Sequence, residues 1–295
     1  MKPPPFEYFA PRTLEEAITL IGEHGDAGKI LAGGQSLVPM LNLRLLRPSC
    51  LIDINRVAEL AFIESRDQEV VIGAGTRQRA IERSELVREK CPLLYEAMPF
   101  IAHFQIRNRG TIGGSLSHAD PAAELPTVIS ALGGKLILRS VRGERTLNAR
   151  EFYTGYLSTV LEQDEVLTEI RLPFQASGMG WAFLEISRRH GDFALTAVAA
   201  GVRLDQAGHC LSARLVLAGV NDVPFHYPPA EEALVGTRLT KMDIESASRI
   251  LITELVPQSD LHASADYRKQ AARVLAARAL EKATARAEKR LKAQS

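Results

Sequence analysis

Sulfur is scarce: the 295-residue chain holds three cysteines, Cys50, Cys91 and Cys210, far apart in sequence. None lies in a CxxC or Cys/His ligand spacing, so neither a disulfide framework nor a zinc site is expected. An iron–sulfur cluster takes four thiolates, more than the chain owns. The seven histidines, His24, His103, His118, His190, His209, His226 and His262, are scattered and form no HExxH pair. Hence no metal site is expected. An excess of either charge is also lacking, since 36 basic against 35 acidic residues leave a net charge of +1. That removes any global electrostatic case for nucleic acid or an anionic membrane. No apolar run approaches the roughly 18 residues of a membrane span, and Met1-Lys2-Pro3-Pro4-Pro5 lacks the apolar region of a signal peptide. A cytoplasmic protein is therefore expected. The Walker pattern is absent, Gly73-Ala74-Gly75 lacks the third glycine of the dinucleotide fingerprint, and no solenoid repeat is present.

With 46% hydrophobic residues the chain can bury a sizeable core, and its length suggests two or three units. Residues 1–57 read as strand, helix, strand, helix, strand, with a capping box at Thr13-Leu14-Glu15-Glu16. Residues 58–175 open with a hairpin (61–64 and 69–73) and continue with helices over 76–90, 92–103 and 121–132. Strands over 135–140 and 165–173 close that unit. Residues 176–295, entered through a linker at 175–180, read as a three-stranded antiparallel sheet (181–189, 193–204, 210–219). Helices over 230–234, 241–255 and 264–292 follow it. The fold class is α+β, two α/β lobes followed by a sheet-and-helix domain.

The chemistry concentrates in two glycine pairs. Ala32-Gly33-Gly34-Gln35-Ser36 follows a short strand and precedes a helix at Leu37. Thr111-Ile112-Gly113-Gly114-Ser115-Leu116-Ser117-His118-Ala119-Asp120-Pro121 carries the second pair. Glycine accepts either sign of φ and has no Cβ, so such turns can aim backbone N–H groups at an anion. Asp120-Pro121 reads as a helix N-cap followed by Pro at the first helical position. Two sites offering amides and hydroxyls suit a diphosphate. On this reading Gly113→Val or Gly114→Val removes the ligand while the chain still folds. Arg107 and Arg109 read as solvated charges, with phosphate or partner contact the other option.

These motifs, with Ala122-Ala123-Glu124-Leu125-Pro126 and Ser187-Arg188-Arg189-His190-Gly191-Asp192-Phe193-Ala194, resemble the FAD-binding medium subunit of molybdenum hydroxylases, the xanthine dehydrogenase and carbon monoxide dehydrogenase family. The resemblance covers essentially the whole chain. It implies a two-lobed FAD-binding domain of the PCMH type and a C-terminal CO dehydrogenase flavoprotein-like domain. It implies FAD contacts from Ala32, Gly33, Gly34, Gln35, Ser36 and Leu37, and from Thr111, Ile112, Gly113, Gly114, Ser115, Ser117 and His118. It also places Asp120 near the flavin end, gives Leu167 and Phe193 a role at the isoalloxazine, and counts Asp192 among the cofactor contacts. Ser115 stands where many relatives have Asn, and Gln35 where some have His. Phe193 replaces a Tyr or aliphatic residue, and its other reading is a core aromatic. Phe183-Leu184-Glu185 occupies the stretch where some relatives carry a flavin-tuning Lys.

By the same resemblance, a large molybdopterin-binding subunit hydroxylates substrate and a small subunit relays electrons through two [2Fe-2S] clusters. The chain's FAD delivers them to an external acceptor, and the whole is a dimer of heterotrimers. No catalytic residue is expected in the chain itself. The substrate implied is an N-heterocycle, another small organic molecule or CO. Two readings stay open beside it, an autonomous FAD-dependent reductase or oxidase on a related fold and a non-catalytic assembly subunit.

Overall fold

The computed structural model describes residues 2–176 and 178–293, so the linker expected at 175–180 has Ser177 outside the described residues. The first unit contains β1 (Glu7–Phe9), α1 (Leu14–His24), β2 (Gly28–Leu31), α2 (Leu37–Asn42) and β3 (Cys50–Asp53). Its three strands lie parallel in the order β1-β3-β2. Thr13 accepts from the Glu16 N–H while Glu16 reaches back to the cap, the reciprocal box read from the sequence. Leu14, Ala17, Ile18 and Ile21 then bury one face of α1 against Cys50 and Ile52.

The second unit contains β4 (Ile63–Arg66), β5 (Glu69–Gly73), α3 (Gln78–Glu82), α4 (Glu85–Lys90), α5 (Pro92–Ala97), α6 (Phe104–Arg107), α7 (Ile112–His118) and α8 (Glu124–Ala131). It continues through β6 (Lys135–Ser140), β7 (Gly143–Asn148), α9 (Ala149–Phe152), β8 (Tyr153–Gly155), β9 (Ser158–Thr159) and β10 (Val166–Pro173). Its main sheet is antiparallel, in the order β4-β5-β10-β6-β7. The helix expected over 76–90 is two helices, because Ser84 leaves helical geometry and caps α4 by accepting from the Val87 N–H at 3.3 Å. The one expected over 92–103 stops at Ala97 and tightens into a short 3-10 turn carrying Pro99. Proline supplies no N–H to continue the ladder.

Another difference falls on the segment of interest. Helix α8 begins at Glu124, with Ala123 at its N-cap, so Asp120-Pro121 is not a helix start. Asp120 instead folds a turn on itself, its Oδ1 accepting from the Ala122 N–H at 2.9 Å and its carbonyl from the Ala123 N–H at 3.0 Å. An Asx turn uses the same short side chain that favours caps, which is why sequence alone does not separate the two.

The third unit contains β11 (Gly180–Ser187), β12 (Ala194–Leu204), β13 (Cys210–Ala218), β14 (Phe225–His226), α10 (Pro228–Glu232), α11 (Lys241–Thr253) and α12 (Ala265–Lys292). The expected three-stranded sheet gains the two-residue strand β14 at its edge. Its faces alternate as a pleat requires. Ala182, Val198, Ala200 and Leu217 face α11 and α12, whereas Phe183, Ala197, Ala199 and Val216 face the second unit. Every residue of α8 is buried, and this helix packs on β12 and β13 within the apolar core that unites the second and third units. Helix α12 is charged outside but carries an inner stripe at Ala272, Leu275, Ala276, Ala279, Leu280, Ala283 and Ala287. Near its start Arg268 is 7% exposed and donates to the Leu195 carbonyl at 2.6 Å, to the Gly219 carbonyl at 3.2 Å and to Asp260 at 2.7 Å. Replacing it by leucine strands those acceptors. Arg268→Leu should cost about 3 kcal/mol of unfolding free energy, read as an earlier denaturant midpoint.

Candidate flavin-binding site

The first glycine segment is a loop between a strand and a helix. β2 ends at Leu31, pinned parallel to Asp53 of β3, and α2 starts at Leu37 with Gly34 and Ser36 carbonyls accepting its first bonds from Val38 and Met40. Between them Gly34 adopts a φ of +73°, a conformation that side chains resist. The Gln35 side-chain amide donates to the Gly33 carbonyl at 3.1 Å and braces the loop. Among the described residues, none of the backbone N–H groups of Gly33, Gly34, Gln35 and Ser36 has an acceptor within the chain. Backbone amides rarely stay unpaired, so this is a cradle for acceptor atoms from outside the chain.

The second segment differs from expectation. Residues 112–118 form helix α7, and Gly113 and Gly114 lie in its first turn, not in a loop. Its leading amides are already committed. Ile112 donates to the Thr76 carbonyl at 3.1 Å and Gly113 to Ala74 at 2.8 Å, while Gly114 donates to Thr111 Oγ1 at 3.1 Å and Ser115 to the Thr111 carbonyl at 3.2 Å. The symmetrical picture of two amide turns is therefore corrected, because a helix start must satisfy its first four donors and here the protein does so itself.

The glycines serve close approach instead. A Cβ on Gly113 would fall 2.5 Å from that of Ala74 and 2.7 Å from the Ala74 carbonyl oxygen. Ala74 is itself fixed by donating to the Thr168 carbonyl at 2.9 Å, beside an irregularity in β10 between Leu167 and Glu169. On the other side, a Cβ on Gly33 would fall 2.5 Å from the Arg109 carbonyl oxygen and 2.7 Å from Gly110 Cα. One on Gly114 would lie 3.8 Å from that of Ala32. The two glycine segments thus meet backbone to backbone. What α7 adds to the junction are the hydroxyls of Ser115 and Ser117 and the ring of His118, none of them hydrogen-bonded within the chain among the described residues.

The remaining expected residues are placed unevenly. Leu167 is 5% exposed and belongs to the core, so its side chain is part of the packing beside α7. Phe193 is 67% exposed, which removes its reading as a core aromatic. It ends a turn with Asp192, also exposed, and Gly191 at φ +88°. That turn leans on the segment leading to α7. The rings of His103 and His190 are 6.2 Å apart at 75°, and both line an open cavity of about 410 Å³ with Ala102, Phe104, Gln105 and Arg107. Arg107 is not a solvated charge. It is 7% exposed and makes a bidentate pair with Glu82 at 3.0 and 3.1 Å while donating to the carbonyls of Ile101 and Ala102. The Arg79 and Arg107 guanidiniums hold the Glu82 carboxyl below its usual range despite its burial.

Residues 4–175 match the family described as FAD binding domain in molybdopterin dehydrogenase, and residues 181–283 match the CO dehydrogenase flavoprotein C-terminal domain. The chain belongs to this molybdopterin dehydrogenase flavoprotein family. It is 44% identical over 287 residues to 6-hydroxypseudooxynicotine dehydrogenase complex subunit alpha of Paenarthrobacter nicotinovorans, covering 97% of each chain. It is 39% identical over 290 residues to caffeine dehydrogenase subunit beta of a Pseudomonas species, again covering 97% of each. A solved carbon monoxide dehydrogenase from Hydrogenophaga pseudoflava, lacking the Mo-pyranopterin moiety of its molybdenum cofactor, contains a chain that superposes with a TM-score of 0.95. The identity is 40%, covering 97% of this chain and 99% of that one.

FAD is accordingly the cofactor, and the chain is the flavoprotein subunit of a dehydrogenase of this family. Four acceptor-less amides in one loop fit a pyrophosphate, and the space kept free of Cβ atoms lets that loop abut the other glycine segment. One contributor to this junction escaped the sequence reading. Arg77 forms a bridge opposite Thr111, donates to the Arg109 carbonyl and reaches Asn55 at 2.5 Å, so it ties the first unit to the carbonyl against which Gly33 rests. No motif marks an arginine whose partners are distant carbonyl and amide oxygens. Gly33→Ala should leave the chain folded yet lower FAD affinity about tenfold by spreading the segments, measured by flavin fluorescence titration. Gly113→Val, in contrast, drives methyls into Ala74 and should cost about 1–3 kcal/mol of stability, so it does not separate binding from folding.

Proposed function

We propose that this chain is the FAD-carrying electron-transfer subunit of a heteromeric molybdenum hydroxylase. The single observation carrying the binding part is the set of four unbonded amides from Gly33 to Ser36 at the junction with Thr111–Ser115. In this reading those amides hold the pyrophosphate, with Ala32 and Leu37 flanking it. Ser36, Thr111, Ser115, Ser117 and His118 supply hydrogen-bonding side chains. Gly113 and Gly114 let Ile112 and its helix pack against Ala74 and Ala32, which keeps α7 at the edge of this site. Asp120 and Leu167 stand toward the flavin end, and the exposed ring of Phe193, with Asp192, is free to cover the isoalloxazine.

FAD, when bound, accepts electrons singly and passes them on in pairs, while the protein contributes binding, orientation and electrostatics. The chain's own residues make no provision for earlier carriers. Its three cysteines are buried in three different cores, Cys50 with α1, Cys91 beneath the second sheet and Cys210 beside α11, so they cannot gather around iron. Among the described residues there is also no group of His, Cys, Asp and Glu that could hold a metal ion. We therefore assign the molybdenum cofactor to a large partner subunit and two [2Fe-2S] clusters to a small one, assembled as a dimer of heterotrimers in the cytoplasm. No helix of the described residues is long and apolar enough to cross a membrane. The names of relatives that act on 6-hydroxypseudooxynicotine and caffeine favour a nitrogen-containing small organic substrate over CO.

Purification of the native protein tests the assignment. A yellow complex with co-purifying iron and molybdenum is the expected result. A yellow monomer that turns over substrate alone identifies an autonomous reductase or oxidase, and a colourless chain identifies an assembly subunit.

A further inference from the structure

A second cavity, of about 460 Å³, opens where α4 and α5 of the second unit meet β11 and α12 of the third. It shares no residue with the glycine segments or with the turn that carries Phe193. Three of its lining side chains are arginines, Arg88 on α4 and Arg286 and Arg290 on α12, against one carboxylate, Glu96 on α5. Pro92, the first residue of α5, and Pro99, in the turn after it, stiffen one wall.

The protein does not neutralise these arginines itself. Glu96 is shared, accepting from Lys282 at 2.7 Å and from Arg286, whose second nitrogen reaches it at 3.2 Å. Two cations therefore divide one carboxylate. Arg286 also donates to the Trp181 carbonyl and Arg290 to that of Met179, along the side of β11 that no other strand covers. Carbonyls carry no countercharge, and among the described residues Arg290 has no carboxylate partner. Arg88 pairs with Glu85, an exposed neighbour on its own helix, and such pairs are worth little. Arg88 and Arg286 keep 54% and 41% of their side chains exposed, so both are open to a ligand.

A neutral donor sits in the same lining. Trp181, the single tryptophan of the chain, is 4% exposed, yet its Nε1 is sealed from water without a hydrogen-bond partner. Buried indole N–H groups usually find an acceptor. The Cζ3 and Cε3 atoms of its ring stand 2.5 and 2.7 Å from where a Cβ on Gly201 of β12 would lie. The opposite ring edge, which carries Nε1, therefore turns away from β12, toward the side on which Arg286 meets the Trp181 carbonyl. We propose that this cavity binds a small organic oxyanion, a carboxylate or a phosphate ester. Arg286 and Arg290 are its charged donors, Arg88 stands at the rim, and Trp181 Nε1 is the neutral donor. Guanidinium forks match the oxygen pairs of both groups, and the volume suits a ligand of metabolite size. The site is independent of the function proposed above.

The test titrates the full chain, as purified, with citrate and with phenyl phosphate. Because Trp181 is the only tryptophan, its fluorescence reports this cavity directly. At least one probe should give a saturable change with a dissociation constant of about 0.1–1 mM at low salt, weakening as KCl is added. The same probe should raise the melting temperature by mass action. Arg290→Gln should weaken binding about tenfold and Arg290→Lys by less, since lysine keeps the charge without the fork. Arg88→Gln serves if the Arg290 variants fold poorly, and Arg203→Gln, exposed on β12, should leave binding unchanged. No saturable response to either probe, or one that KCl alone reproduces, overturns the proposal, as does an undiminished response in both Arg290→Gln and Arg88→Gln. Silent probes together with loss of iron and molybdenum from purified Arg290→Gln overturn it in favour of an acidic side chain on a partner subunit.

Discussion

The site depends on one contact, the approach of Gly33 to the Arg109 carbonyl and Gly110. Nothing larger than a hydrogen fits on that Cα, so the loop from β2 and the segment entering α7 stand as close as backbones can. Several features converge on it. Arg77 holds the same carbonyl and reaches Asn55 in the first unit. Gly113 rests on Ala74, which Thr168 of β10 fixes in turn. The irregularity of β10 beside Leu167 and the packing of α7 therefore reach the loop with free amides through a short series of backbone contacts.

The chain also divides its labour clearly. The three cores each contain one cysteine, and burial holds each thiol above its usual range. Helix α8 joins the second sheet to the third and is apolar except for Glu124, Thr127 and Ser130. Ser130 returns its hydroxyl to the Pro126 carbonyl at 2.7 Å. Thr127 has no such local solution, and its Oγ1 is left without a partner. A polar atom left in that state inside a well-packed core is costly, because the low-dielectric interior offers it no water.

Much of this was legible in the residues. The capping box at Thr13 and the hairpins around 65–68 and 205–208 follow from short-range chemistry, and the strand alternation of the third sheet is as local. The glycine motifs marked two segments that the fold brings against each other. The use of each pair was not legible, since a glycine needed for a positive φ, as at Gly34, looks the same in sequence as one needed for close packing, as at Gly113. Arg107 looked solvated because its partner Glu82 lies on another helix, and Phe193 read equally well as a core aromatic and as a residue at the isoalloxazine.

Local patterning and the motifs thus determined the family, the order of elements and the two stretches whose backbones meet at the candidate site, because these rest on periodicity, caps and residue identity. Tertiary structure alone decided which amides remain free and which are consumed, that Asp120 turns back on itself, and that Glu124 is buried at the start of α8. Those outcomes depend on which distant carbonyls, carboxylates and apolar faces the packed units place against each residue, and no window of neighbouring residues carries that information.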